Sequence, residues 1–134
     1  MSNPVVWQPS AQQVQTCQLS RFMQFVSQTR QETQKQSPTF THYSDLHYWS
    51  VSEPQAFWRA VWDFCGLTSV EPASAVLGNN TMPGAQWFPG MTLNFARNLL
   101  RLAEGGQANN EAVVAYCETR PVLRRTYAQL KADA

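Results

Sequence analysis

A β-hairpin near the end of the chain constrains the fold more than any other segment. Residues 112–117 form an apolar run typical of a strand, Thr119-Arg120-Pro121 predicts a turn, and residues 122–127 alternate as a second strand. A lone two-stranded hairpin is marginally stable and has unpaired edges, so we expect this one to belong to a larger sheet. The chain stops within the next helix, which Thr126 and Gln129 open as a capping box. We therefore expect an unfinished piece of a longer protein.

A first amphipathic helix is predicted near the start of the chain. Ser10 and Gln13 form an S-x-x-Q capping box, and the helix should continue to about Gln31 despite its glutamine-rich composition. Its apolar face repeats at helical spacing. That face comprises Val14, Cys17, Phe22, Phe25, Val26 and Thr29.

An aromatic helix is predicted in the middle of the chain, after a short helical segment over residues 44–49. Ser52 and Gln55 suggest a second capping box, and Gly66 should end the helix. Its apolar stripe comprises Phe57, Trp58, Val61, Trp62 and Cys65. Such a stripe could stack on a ligand, but aromatic residues at helical spacing are more often core anchors, and we favour a core.

A long connection and a third helix complete the region before the hairpin. Prolines, glycines and the Gly78-Asn79-Asn80 signal predict an ordered surface loop over residues 67–89. A helix follows from Leu93 or Asn94 to Glu104, and Gly105-Gly106 ends it. Its predicted apolar side contains Leu93, Ala96, Leu99, Leu100 and Ala103.

Reactive side chains form no recognisable catalytic or metal-binding set in the sequence. His42 and His47 are five residues apart, a spacing that does not place a metal pair on one helix face. Cys17, Cys65 and Cys117 are far apart and odd in number, so we expect buried structural thiols. Glycine-rich phosphate-binding motifs are lacking. We predict no catalytic, cofactor-binding or metal-ligating residue in this span.

Charge and targeting signals point to an untargeted protein of the cytoplasm. The net charge is +1 over 134 residues, which gives no electrostatic basis for binding nucleic acid. The pair Arg124-Arg125 is more typical of a solvated strand edge than of a phosphate site. The first residues lack a signal peptide, and no window is long and apolar enough to span a membrane. Cysteine usage favours a reducing compartment.

Several motifs resemble the amino-terminal region of acetoacetyl-CoA synthetases, in the acetyl-CoA synthetase branch of the adenylate-forming acyl-CoA ligases. The strongest is MPGAQWFPG over residues 82–90, followed by Leu93-Asn94-Phe95-Ala96 and Asn98-Leu99-Leu100. Earlier matches are Trp7-Gln8-Pro9, Trp49-Ser50-Val51 and Phe57-Trp58. Met91 and Arg97 depart from the family pattern at positions that are not catalytic in the family. The resemblance covers nearly the whole chain.

The resemblance implies an α+β chain: a mainly helical amino-terminal cap over residues 1–108, then the first hairpin and helix start of a truncated α/β adenylate-forming domain over residues 109–134. The complete enzyme would convert acetoacetate, ATP and CoA to acetoacetyl-CoA, AMP and diphosphate, with Mg, in lipid and ketone-body metabolism. The catalytic residues would lie beyond Ala134, so this span should be inactive, should bind no cofactor, and should pack on the missing catalytic domain.

Two alternatives from other classes stay open at the level of sequence. A stand-alone interaction module could bind a partner through Phe57, Trp58 and Trp62. A redox or metal protein using the cysteines is less favoured. For the fragment reading, we expect exposed aromatic patches, and self-association or partial disorder after about Gly105.

Overall fold

The computed structural model describes residues 5–33 and 39–134 and shows an α+β fold, as the sequence predicts. Six helices, one 3-10 turn and one antiparallel hairpin follow one another in this described part. They are α1 (Ala11–Thr16), α2 (Gln18–Thr33), α3 (Tyr43–Ser52), α4 (Pro54–Phe64), α5 (Phe95–Leu99), the 3-10 helix (Leu100–Glu104), β1 (Glu111–Cys117), β2 (Arg120–Thr126) and α6 (Tyr127–Asp133).

The first predicted helix is two helices, so the expectation of one continuous element was wrong. The capping box at its start is present, with Ser10 Oγ accepting from the Gln13 amide and Gln13 Oε1 accepting from the Ser10 amide. The helix breaks at Cys17, whose backbone is extended (φ −68°, ψ 156°). The Ser20 hydroxyl donates to the Val14 carbonyl at 2.6 Å, which satisfies an acceptor at the end of α1.

The second predicted capping box is absent, because Ser52 is the last residue of α3 and does not cap α4. Its hydroxyl donates to the Tyr48 carbonyl at 2.9 Å, and α4 begins at Pro54 after a Glu53 cap position. The segment predicted over residues 44–49 is accordingly a longer helix, Tyr43–Ser52.

A carboxylate holds the start of α3. Asp45 Oδ2 accepts the backbone N–H groups of His42 and Thr41, both at 2.8 Å. These bonds, that of His42 first, hold the pKa of Asp45 below its ordinary value of 3.8 because they favour the ionised form.

The end of α4 follows the prediction. Gly66 has φ +61°, its N–H donates to the Asp63 carbonyl, and the Leu67 N–H donates to the Trp62 carbonyl. This pair of bonds is a Schellman motif, in which a left-handed residue satisfies the last carbonyls of a helix. Glycine takes that conformation without a Cβ clash.

Two compact units make up the fold, and the first contains residues up to Leu67 together with Val76–Trp87. Its core is a cluster contributed by α2 and α3: Phe22, Val26, Leu46 and Trp49. Side chains of α4, including Phe57, Val61 and Phe64, pack against this cluster. The predicted apolar face of the first helix is therefore buried only in its middle, around Phe22 and Val26, since Val14, Cys17 and Thr29 are exposed.

The second unit contains Thr68–Ala75 and Phe88–Ala134. Asn94 caps α5 through its side-chain oxygen, and the predicted third helix continues beyond Leu99 only as a 3-10 turn. The hairpin pairs Val113 with Arg125 and Ala115 with Leu123, and its turn is Glu118-Thr119, earlier than predicted. Helix α6 starts with the predicted Thr126 and Gln129 capping box. The proposed boundary between a cap (1–108) and a catalytic domain (109–134) stays a prediction.

Candidate docking surfaces

Aromatic rings of the first unit form a chain of contacts that joins three of the sequence motifs. The ring centroids of Trp49 and Phe57 are 5.7 Å apart, those of Phe57 and Trp58 5.3 Å, and those of Trp58 and Trp87 5.8 Å. At such separations an aromatic pair contributes about 0.5–1.5 kcal/mol beyond its burial. The motif tryptophans thus contact one another, although Trp58 and Trp87 are 29 positions apart in the chain.

The ring chain runs from the core to the surface. Trp49 is 4% exposed, Phe57 is half-buried, and Trp58 and Trp87 are 44% and 40% exposed. Of the three residues predicted for partner binding, Phe57 and Trp62 are half-buried, and Trp58 presents the most ring to solvent. Phe57 and Val61 of the stripe therefore pack against the core, as predicted, whereas Cys65 and Trp58 are exposed. Trp58 and Trp87 form an exposed aromatic pair at the outer end of the ring chain.

The loop over residues 76–87 holds Trp87 in this position. Leu77 is buried and forms an antiparallel bridge with Trp87. The Gly78 N–H donates to the Gln86 carbonyl, and the Gln86 N–H donates to the Asn79 carbonyl, both at 2.9 Å. The MPGAQW motif is thus the return arm of an ordered surface loop, as its composition predicts.

Asn98 is the buried polar residue of the described chain, and sequence reasoning did not single it out. Its Oδ1 accepts the Thr68 N–H at 2.9 Å, and its Nδ2 donates to the carbonyls of Thr68 and Asn94 at 2.9 and 3.0 Å. The side chain therefore ties the loop at Thr68 to α5. The sequence did contain a signal for this role, an asparagine among the apolar positions of a predicted helix. A side-chain amide at such a position is buried only when it has hydrogen-bond partners.

Apolar side chains of the second unit remain exposed. Among its residues, all of which the structure describes, Asn98 is buried and no apolar side chain is. The large apolar residues that are 41–76% exposed are Val70, Leu93, Phe95, Leu99, Val113, Tyr116, Val122 and Leu123. Leu93, Ala96 and Leu99, predicted on one apolar helix side, are therefore open to solvent.

A groove of about 450 Å³ lies between the 98–102 segment, β1 and α6. Its apolar lining includes Leu99, Leu102, Ala112, Val113 and Leu130. We call it the hairpin groove. A mostly apolar groove of this kind is suited to pack against a further apolar element.

The histidines lie apart from any metal-binding group in the described residues. His42 precedes α3 and is engaged through its backbone with Asp45, whereas exposed His47 faces the Tyr43 ring at 6.2 Å. No set of three His, Cys, Asp or Glu side chains in residues 5–33 and 39–134 could hold a metal ion.

The cysteines are free and exposed, so the prediction of buried thiols was wrong. Each lies where an element ends: Cys17 at the break after α1, Cys65 at the end of α4, and Cys117 at the last position of β1. The helical and strand periodicities that suggested burial do not hold at such ends. The Thr119 hydroxyl near the Cys117 Sγ lowers the pKa of that thiol to about 7.

Three of the four basic side chains of the hairpin and α6 are paired with carboxylates. Arg124 contacts Glu111, Arg125 contacts Asp133 at 3.2 Å, and Lys131 contacts Glu104. These exposed pairs agree with a solvated strand edge at Arg124-Arg125 and not with an open phosphate site. Over the described ranges, no helix has the length and hydrophobicity needed to cross a lipid bilayer.

The arrangement has its counterpart in known acyl-CoA ligases. Residues 43–99, which include the ring chain and Asn98, match the family described as acetyl-coenzyme A synthetase N-terminus. The fold and these motifs define the amino-terminal region of an acyl-CoA synthetase.

Individual relatives narrow this class. An acetoacetyl-coenzyme A synthetase of Rhizobium meliloti (strain 1021) is 32% identical over 94% of this chain and 19% of its own length. A malonamoyl-CoA synthetase of Penicillium aethiopicum is 33% identical over 72% of this chain and 12% of its own length. The structure of acetoacetyl-CoA synthetase from Streptomyces lividans superposes with a TM-score of 0.78 and 38% identity, over 93% of this chain and 18% of that one.

The chain therefore belongs to the acyl-CoA synthetases and is similar to the amino-terminal region of their acetoacetyl-CoA-forming members. It spans about a fifth of the length of the relatives it matches.

Proposed function

We propose that this chain is the amino-terminal region of an ATP-dependent acetoacetate–CoA ligase, and that its role there is structural. The complete protein would join acetoacetate to coenzyme A through an acyl-adenylate, releasing AMP and diphosphate. The observation that carries the proposal is the agreement of fold and sequence with the Streptomyces lividans protein over 93% of this chain. A cytoplasmic location belongs to the same proposal and is supported by the three free thiols.

In this proposal ATP, Mg and CoA are bound by residues outside this chain. Adenylate formation requires metal ligands, amide cradles and free cationic side chains around the phosphates. Two observations support this: no three His, Cys, Asp or Glu side chains of the described residues form a group that could hold a metal ion, and the cationic side chains of Arg59, Arg124, Arg125 and Lys131 are each engaged with a carboxylate. No step of the reaction is therefore assigned to them.

The structural role is to supply packing surface to the rest of the enzyme. The exposed pair Trp58 and Trp87 and the hairpin groove are the surfaces best suited to this, because both carry apolar area that the chain itself leaves open. Burial of such area stabilises an assembly by roughly 25 cal/mol per Å².

A chimera tests the proposal directly. This chain would replace the corresponding amino-terminal region of the Streptomyces lividans acetoacetyl-CoA synthetase, and AMP release would be measured with acetoacetate, ATP and CoA. We expect an active chimera with the acyl preference of its host, and no AMP release from the 134-residue chain alone. A folded but inactive chimera, or turnover by the isolated chain, would refute the proposal.

One further variant distinguishes the proposed structural role from the alternative, a stand-alone interaction module. If Trp58 packs on the remainder of the enzyme, Trp58→Ala should lower the thermal stability of the chimera more than that of the isolated chain. An equal effect in both would favour an independent role for this surface.

A further inference from the structure

The two strands of the hairpin differ in a way that assigns them different places in a larger sheet. Residues 112–116 of β1 are Ala, Val, Val, Ala and Tyr, an unbroken apolar run. Strand β2 instead carries Pro121 and three arginines, Arg120, Arg124 and Arg125. An unbroken apolar strand is typical of one covered on both faces, whereas proline and charge are typical of an edge.

The surroundings of the two strands repeat this difference. The hairpin groove is lined by Ala112 and Val113 of β1 and by no residue of β2. Both strands carry exposed apolar side chains, Val113 (41%) and Tyr116 (76%) on β1 and Val122 (46%) and Leu123 (47%) on β2. The groove, the proline and the arginines therefore distinguish the strands, and apolar exposure alone does not.

Strand β2 already has hydrated ionic partners for two of its three arginines. Arg124 contacts Glu111, and Arg125 contacts Asp133. Glu111 belongs to β1, so the Arg124–Glu111 pair bridges the two strands, and only the Arg125–Asp133 pair is specific to β2. A strand added beside β2 would have to desolvate this exposed pair, a cost that the mutual attraction of the two charges rarely offsets. The same addition beside β1 would cover apolar side chains.

We propose that β1 is the edge on which the sheet continues, and that the added element is an apolar β-strand from the remainder of the synthetase. This rests on the proposed function, because the relatives are about five times as long as the part matched here. The added strand would pair with the outward amides and carbonyls of β1. Its apolar side chains would cover the hairpin groove and Tyr116, while β2 would remain at the solvent edge.

Amide hydrogen exchange distinguishes the two edges. In an antiparallel pair only about half of each strand's amides are bonded to the partner, so the outward amides of an edge strand exchange quickly. We expect amides of residues 112–116 to exchange at least about tenfold more slowly in the chimera than in the isolated chain, with the outward amides of β2 unchanged. Protection gained on β2 alone would overturn the inference. The inference would also be overturned if β1 were protected only in the isolated chain and the protection rose with protein concentration. The strand added beside β1 would then come from a second copy of this chain.

A matched pair of substitutions adds an independent readout. Val113 and Val122 are 41% and 46% exposed, so Val113→Lys and Val122→Lys should both leave the circular dichroism of the isolated chain unchanged. In the chimera, Val113→Lys should lower soluble yield and activity at least about tenfold, while Val122→Lys should have little effect. Equal effects would contradict the inference. An active chimera without β1 protection refutes this inference alone, whereas a folded, inactive chimera refutes the proposed function.

Discussion

Removing the Asn98 side chain should loosen α5 from the loop at Thr68. The amide group makes three short hydrogen bonds, two to the backbone of Thr68 and one to the carbonyl of Asn94. In Asn98→Ala these backbone groups lose their partners, and an unsatisfied buried group costs about 1–3 kcal/mol. Because Thr68 lies near the surface, water can replace part of the loss, and we expect about 2–3 kcal/mol in total.

Amide exchange measured by NMR is the appropriate assay, because all five tryptophans lie in the first unit and fluorescence does not report on α5. A loss of 2–3 kcal/mol corresponds to roughly 30- to 150-fold faster exchange, or complete loss of protection if α5 is less stable than that. We expect this change at the amides of residues 97–99.

Thr68→Ala is the matched control. The two strong bonds at Thr68 use its backbone, and its hydroxyl approaches Asn98 only at the 3.5 Å limit. The control should therefore change exchange by less than about threefold, within the usual range of surface substitutions. The reasoning is refuted if both variants behave alike, or if Asn98→Ala exchanges within threefold of the parent.

Three further predictions concern stability. Val26 is 1% exposed, so Val26→Ala should lower the free energy of unfolding by about 2 kcal/mol. Val14 is 47% exposed, so Val14→Ala should lower it by less than about 0.5 kcal/mol. Tryptophan fluorescence during urea unfolding measures both variants. Gly66→Ala should lower the free energy of unfolding by about 1 kcal/mol because φ is +61°, whereas Gly105→Ala, equally unobstructed but in extended backbone, should be nearly neutral. Urea unfolding followed by circular dichroism measures both variants, because Gly105 lies in the second unit, which has no tryptophan. Because the pKa of Asp45 is lowered in the folded protein, its contribution to the free energy of unfolding is present above pH 3.8 and is lost as the pH falls through the folded-state pKa. The urea-midpoint difference between the parent and Asp45→Ala should accordingly shrink between about pH 5 and pH 2, and a constant difference would contradict the assignment.

Local patterns in the sequence predicted those features that depend on neighbouring residues. The capping boxes at Ser10 and Thr126 formed, because each needs only a hydroxyl and a glutamine three residues later. The helix end at Gly66 and the hairpin were also correct. The predicted capping box at Ser52 did not form, because the Ser52 hydroxyl donates instead to the Tyr48 carbonyl of the preceding helix.

Long-range packing decided the rest. Periodicity predicted buried cysteines, but a period says nothing about where an element ends, and all three cysteines lie at ends. The contact between Trp58 and Trp87, and the bonds from Asn98 to Thr68, join residues about 30 positions apart. The sequence by itself determined two capping boxes, the helix end at Gly66, the hairpin and the resemblance to the family, because each of these depends on residues that are close together in the chain. Only the tertiary structure showed which apolar faces are buried and which stay open, because burial depends on how distant segments fill space together.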